Sequence, residues 1–215
     1  MTGLTLYVGN KNYSSWSMRP WMAMTAAGID FEDVVIPFDF AAGNPDIRAV
    51  SPTGRVPLLR HGELLVWESL AIIEYVAELF PNAGLWPADR EARTRARSYS
   101  MEMLSGFRSL RGACPMNVRR EKHALEVDAD VRADVARIEQ IWKQALARSG
   151  GPFLFGAFGA VDAMYAPVVS RFDVYDLVAD QESLGYMQRM KAHPAYRKWE
   201  EAARAEPWVV PEDEV

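Results

Sequence analysis

A chain of 215 residues with 49% apolar side chains can bury one sizeable core or two small ones. A net charge of −5 gives no general basic footprint for nucleic acid, and the single cysteine, Cys114, excludes an internal disulfide framework and agrees with a reducing compartment. The N-terminus, MTGLTLYVGNKNYSSW, lacks the charged start and long apolar run of a signal peptide, and no apolar run reaches the ~18 residues of a membrane span; a soluble cytoplasmic protein is expected.

Leu4–Val8 alternates and reads as a first strand, followed by a turn-rich loop over Gly9–Tyr13 (GNKNY). Ser14 and Ser15 precede a helical segment over Trp16–Ala27 that stops at Gly28, serine being a usual cap and glycine a usual stop. Pro20 is expected in the first turn or so, where proline costs least. Phe31–Pro37 reads as a second strand, and Ala42–Val50 as a polar connection with one helical turn. The stretch Arg55–Val76, RVPLLRHGELLVWESLAIIEYV, carries the densest signal. It predicts a short strand ending at Val56–Pro57, a hairpin turn at His61–Gly62–Glu63 and a strand over Leu64–Trp67. A helix opened by Glu68–Ser69 follows, with Leu70, Ile72, Ile73, Val76, Leu79 and Phe80 at helical spacing. Pro81–Pro87 (PNAGLWP) loses periodicity and reads as a linker. Beyond it, helices are expected over Asp89–Leu110, Asp130–Arg148, Ala160–Leu177, Glu182–Ala192 and Pro194–Ala205, with almost no strand signal. The expected division is residues 1–80, a linker at 81–87, and an all-helical unit over 88–215.

A strand with an X-Pro bond beside a helix beginning Glu-Ser suits a small peptide with an acidic end. The strand can pair with an extended backbone, and the helix start offers N–H groups and a hydroxyl to a carboxylate. Val56–Pro57 followed by ESLAIIEY resembles the glutathione-binding half of the cytosolic glutathione transferases, and the resemblance extends over nearly the whole chain. The run SSWSMR resembles the zeta-class SSCSxR motif, with Trp16 where the motif has cysteine. The closest likeness is to the zeta and theta-like serine classes. The resemblance implies an α+β thioredoxin-like N-terminal domain followed by an all-α helical bundle. It also implies glutathione as co-substrate, a small electrophile as second substrate, and a homodimer.

Read alone, Ser14 and Ser15 are an N-cap pair. Read for chemistry, a serine hydroxyl near a helix N-terminus donates to a sulfur and favours its thiolate. The motif points to Ser14, with Ser15 as the alternative because a one-residue shift in the loop exchanges them. The family's matching proline implies a cis bond at Val56–Pro57, with Val56 pairing with the cysteinyl segment of glutathione. Arg55 either reaches the glycyl carboxylate or is solvated. Ser69, by hydroxyl and backbone N–H, would hold the γ-glutamyl carboxylate while Glu68 faces the neighbouring ammonium. Gly156–Asp162 (GAFGAVD) resembles the family's capping box, with glycine at the cap, so Asp162 is read as structural. Arg171–Phe172 matches an arginine–phenylalanine pair that faces the second substrate in zeta-class enzymes; the arginine would take a carboxylate, or be an ordinary helix arginine. Tyr99, Met103 and Phe107 recur every four residues on one expected helix, as a core stripe or as part of the electrophile pocket. His61, His123 and His193 have no metal spacing, so no metal site is expected. Cys114 is expected far from Ser14, against a protein-cysteine mechanism. The expected function is a glutathione transferase. Maleylacetoacetate isomerase and a non-catalytic scaffold or ligand-binding protein of the same fold stand as alternatives.

Overall fold

The computed structural model describes residues 3–215. Its four strands are β1 (Leu4–Val8), β2 (Glu32–Val35), β3 (Leu58–His61) and β4 (Leu64–Trp67), in the order β2-β1-β3-β4. β1 runs parallel to β2 and antiparallel to β3, and β3 pairs antiparallel with β4. Every residue of β1 is buried, as befits a strand inside the sheet. The third strand begins after Pro57 rather than ending at it: proline has no N–H for a ladder, so the expected strand is displaced toward the hairpin.

Helix α1 (Ser15–Ala26) and helix α3 (Ser69–Leu79) pack against one another, with the short α2 (Pro45–Val50) between β2 and β3. Pro20 lies inside α1, past its first turn, rather than at its start. The helical unit contains α4 (Arg90–Ser105), α5 (Arg108–Ala113), α6 (Ala129–Ser149), α7 (Ala160–Val174), α8 (Gln181–Ala192) and α9 (Pro194–Ala205). Together these elements form a thioredoxin-like sheet domain followed by a helical domain.

The single long helix expected over Asp89–Leu110 is two helices. At the break, the Gly106 N–H closes α4 on the Glu102 carbonyl at 2.9 Å, and a Cβ on Gly106 would stand 2.8 Å from that same oxygen. Phe107 then turns the chain with φ +56°, a left-handed conformation uncommon for an aromatic residue. Tyr99, Met103 and Phe107 therefore do not share one helix face.

Helix α7 is buried along nearly its whole length and packs on α1, α4 and α8. Trp142, Tyr165, Phe172 and Tyr186 fill the space beside it with tilted and edge-on rings. Its start is held by Asp162, fully buried, whose carboxylate accepts the Gly159 N–H at 3.0 Å, the Leu154 N–H at 3.1 Å and the Tyr186 hydroxyl at 2.9 Å. Only half a capping box exists, because Gly159 has no side chain to return the bond. A side chain there meets an obstacle: its Cβ would lie 3.0 Å from the Leu85 carbonyl, which already accepts the Ala160 N–H at 2.8 Å.

Candidate functional site

The site grows from the loop between β1 and α1. GNKNY reads as a turn-rich loop, and the structure buries all of Gly9–Tyr13. A buried loop must find partners for its backbone groups, and most of them come from far along the chain. The Glu206 carboxylate accepts the N–H groups of Lys11 at 2.7 Å and Asn12 at 3.1 Å. Trp199 donates its indole N–H to the Lys11 carbonyl at 3.0 Å. Asn12 donates to Asn117 Oδ1 at 2.9 Å and accepts the Arg119 N–H at 2.8 Å. The Tyr13 and Ser14 N–H groups turn back onto the Asn10 carbonyl at 3.1 and 2.7 Å.

This frame delivers Ser14 and Ser15 to the start of α1 with different partners. Ser14 Oγ donates to Ser17 Oγ at 2.7 Å, and Ser17 Oγ also accepts the Gly9 N–H at 3.1 Å. Ser15 Oγ accepts from Arg171 Nη2 at 3.3 Å, while Arg171 Nε donates to the Cys114 carbonyl at 2.8 Å. Both serines line a cleft of about 310 Å³ together with Arg55, Val56 and Arg171. Tyr13, Phe38, Arg111 and Asp213 complete much of its wall. Cys114 is not remote from Ser14 and Ser15, as its place in the second domain suggested. Its carbonyl is tied through Arg171 to Ser15, Pro115 and Met116 line the same cleft, and its thiol is buried, which pushes its pKa up.

A second cavity of about 480 Å³ shares Ser15, Trp16, Arg111 and Arg171 with the first and adds Leu104, Arg108 and Gly112. Its cations are unusual. The Trp16 ring lies between two guanidinium groups, Arg19 at 4.3 Å and Arg111 at 4.4 Å from its centroid. Arg19 is buried, and its Nε and Nη1 have no hydrogen-bond partner; Arg171 Nη1 has none either. Among the described residues none of Arg19, Arg108, Arg111 and Arg171 is in an ion pair. Burial first, then the repulsion of Arg111 and Arg171, lowers the Arg19 pKa well below its ordinary value. Burial and Arg111 bring Arg171 down to about 10, so it stays charged at neutral pH.

The Val56–Pro57 bond is cis, Val56 is half-buried and Arg55 is exposed. Because Leu58 pairs with Trp67, Pro57 and Glu68 leave the β3–β4 hairpin side by side. Glu68 caps α3 with φ +67° and an exposed side chain, and its carbonyl accepts the Ile72 N–H at 3.0 Å. Ser69 is fully buried, with a hydroxyl that has no partner among the described residues. An unpartnered hydroxyl at a helix start is a place where an anion's oxygen would be welcome. Pro57, Glu68 and Ser69 stand outside the lining of the 310 Å³ cleft, at the adjoining sheet edge.

The expected electrophile stripe is not brought to this cleft. Met103 and Phe107 are buried in the main core, and Tyr99 lines a separate cavity of about 150 Å³ with Phe155, Arg95 and Arg148. Reasoning from sequence also missed Arg19, Arg108, Arg111 and Asp213. Arg19 was visible as the arginine of SSWSMR; the others carry no spacing signal that separates them from surface charge.

Two family models cover the chain: the glutathione S-transferase N-terminal domain over residues 13–79 and the glutathione S-transferase C-terminal domain over residues 90–202. The chain belongs to the glutathione S-transferase family. Among curated relatives, glutathione S-transferase 1 of Dianthus caryophyllus is 30% identical over 122 residues, 55% of this chain and 53% of that protein. The probable maleylacetoacetate isomerase of Caenorhabditis elegans is 28% identical over 119 residues, 55% of each chain. This transferase-family chain thus spans a little over half the length of those relatives. A glutathione transferase homologue from Burkholderia, crystallised with bound glutathione, superimposes with a TM-score of 0.73 at 25% identity, covering 94% of this chain and 98% of that one. Among the described residues of this family member, no helix is long and apolar enough to cross a membrane.

Proposed function

We propose that this chain binds glutathione along the Val56 edge and lowers the pKa of its thiol through a serine hydroxyl at the start of α1, for attack on a small electrophile. The observation that carries the reading is one cleft holding Ser14, Ser15, Arg55 and Val56 together. The neighbouring Glu68–Ser69 turn would take the γ-glutamyl end, its buried unpartnered hydroxyl meeting the carboxylate and Glu68 the ammonium. A free thiol has a pKa of roughly 8.5 and is only a few per cent thiolate at neutral pH. A hydroxyl donor, the first turn of a helix and the positive charge of Arg171 all favour the anion. Positioning of the electrophile in the cavity beside Trp16 and Arg111 supplies the rest. By analogy with the family, the active form is a cytoplasmic homodimer.

Titrating the ultraviolet absorbance of bound glutathione tests the reading: the thiol pKa is expected below that of free glutathione. An unchanged pKa would leave a ligand-binding scaffold.

A second reading, cis–trans isomerisation of an acidic conjugated substrate, is favoured by the four arginines that face no ion-pair partner. The thiolate would add to the double bond, the resulting single bond would rotate, and the thiolate would leave. Two relatives carry maleylacetoacetate isomerase in their names, at 28% and 31% identity over about half the chain. Turnover of maleylacetone, with glutathione recovered unchanged, separates this reading from transfer.

A further inference from the structure

The two serines at the start of α1 hold their protons differently. Ser14 commits its own inward, donating to Ser17 Oγ, which also receives the Gly9 N–H. Ser15 Oγ is an acceptor toward the protein: Arg171 Nη2 donates to it at 3.3 Å, and Ser15 lines both cavities. Arg171 cannot swing freely, because Nε is fixed on the Cys114 carbonyl at 2.8 Å and the side chain is buried, 4% exposed. Its charged and titratable neighbours are Arg111, Arg19, Tyr175, Cys114 and Asp213. A cation donating to a hydroxyl oxygen draws electron density from it and strengthens its O–H as a donor. The same bond occupies one side of the oxygen and leaves the O–H to turn toward the cleft.

Resting on the thiol-activation reading above, we infer that Arg171 is a positioning residue for Ser15, and that the glutathione sulfur takes its hydrogen bond from Ser15 rather than Ser14. Ser15 keeps its proton throughout, and the proton lost by the thiol passes to solvent. The helical domain thereby supplies, from α7, the group that orients a hydroxyl of the sheet domain.

The test is a mutant cycle on the full-length protein, with glutathione as the probe. Calorimetry reads its Kd and ultraviolet titration reads the bound thiol pKa. Ser15→Ala is expected to raise that pKa enough to cut the thiolate fraction about tenfold at neutral pH, with Kd changed about threefold or less. Ser14→Ala is expected to cost less than Ser15→Ala. Arg171→Lys keeps the charge, but an ammonium lacks the fork that spans Cys114 and Ser15, so an intermediate loss is expected. Combined with Ser15→Ala, Arg171→Lys should cost little more, since its effect runs through the hydroxyl. The inference is overturned if Ser14→Ala costs more, or if the Arg171→Lys loss persists in full without the Ser15 hydroxyl, as a purely structural or electrostatic role requires. Wild-type protein that binds no glutathione, or binds it with an unshifted thiol, overturns the thiol-activation reading and this inference with it.

Discussion

Replacing Glu206 by alanine tests whether the helical domain builds the serine loop or merely sits beside it. The side chain lies 195 residues from its partner Lys11 and is only 9% exposed. Its two carboxylate oxygens accept two backbone N–H groups of a buried loop, at 2.7 and 3.1 Å. Truncation leaves both donors without that acceptor, at about 1–3 kcal/mol each, so the expected loss is about 2–6 kcal/mol. That is a large part of the ~5–15 kcal/mol that holds a typical domain together. Glu206→Gln keeps one acceptor oxygen but turns an NH₂ toward the other amide, and should lose roughly half as much. Burial raises the carboxyl pKa against the pull of the two amides, so the negative charge itself is not the main asset. Urea unfolding followed by tryptophan fluorescence reads the change, with Trp199 itself bonded to the same loop. The bound-thiol pKa should rise in parallel as the serines lose their frame. A Glu206→Ala loss below about 1 kcal/mol, the size of an ordinary substitution, would refute the reasoning.

Asp162→Ala removes the acceptor of two N–H groups and a hydroxyl and should cost about 3–5 kcal/mol, read as a lower urea midpoint. Burial raises the Asp162 carboxyl to about 6 in the folded chain, against ~4 unfolded. Between those values the folded state binds more protons, so this group's contribution to stability is greatest below pH ~4, falls as pH rises toward about 6, and then levels. Melting curves across that range should show a shallower slope in Asp162→Asn than in wild type, the remainder coming from other buried carboxyls such as Glu206. Gly159→Ser would complete a capping box on paper but sets a Cβ 3.0 Å from the Leu85 carbonyl; it should lower the urea midpoint, and a stabilised variant would show that the linker can give way. Glu68→Gly relieves a left-handed backbone worth about 1 kcal/mol or more while removing the proposed ammonium partner, so stability should rise and glutathione affinity fall in the same variant.

The sheet domain was legible because its signals are local. The hairpin at His61–Glu63, the strand over Leu64–Trp67 and the Glu-Ser start of α3 all lie within one continuous stretch. The α4–α5 break was not, because the apolar spacing of Tyr99, Met103 and Phe107 runs through it; a lone Gly106 inside a helical pattern is usually tolerated, and here a close approach to Glu102 makes it the end. The burial of the loop Gly9–Tyr13 was not legible for a different reason. Several of its polar groups take partners from residues 117–119, 199 and 206, and long-range pairing leaves no trace in one chain's order. Ser14, Ser15, Val56 and Arg171 were singled out by motif, and the structure places them around one cleft, where their roles are the proposal. Arg108 and Arg111 were not found, since their meaning depends on which way a short helix points them.

Trp16 makes sense of the arginines. Two guanidinium groups within 4.3 and 4.4 Å of one ring would repel across an ordinary aliphatic side chain, and among the described residues no carboxylate forms an ion pair with either. The negative face of an indole offers each about 0.5–2 kcal/mol without using any N–H, because the attraction is to the quadrupole rather than to an acceptor atom. A carboxylate in that place would have neutralised the pair and consumed the donors. The indole faces both cations without taking an N–H from either: among the described residues Arg19 Nε and Nη1 have no partner, and Arg111 keeps a bond from Nη1 to the Leu104 carbonyl. Tryptophan in place of the motif's cysteine therefore removes a thiol and sets an aromatic face against two guanidinium groups, and the proposed acidic-substrate reading draws on that exchange as well as on the arginines.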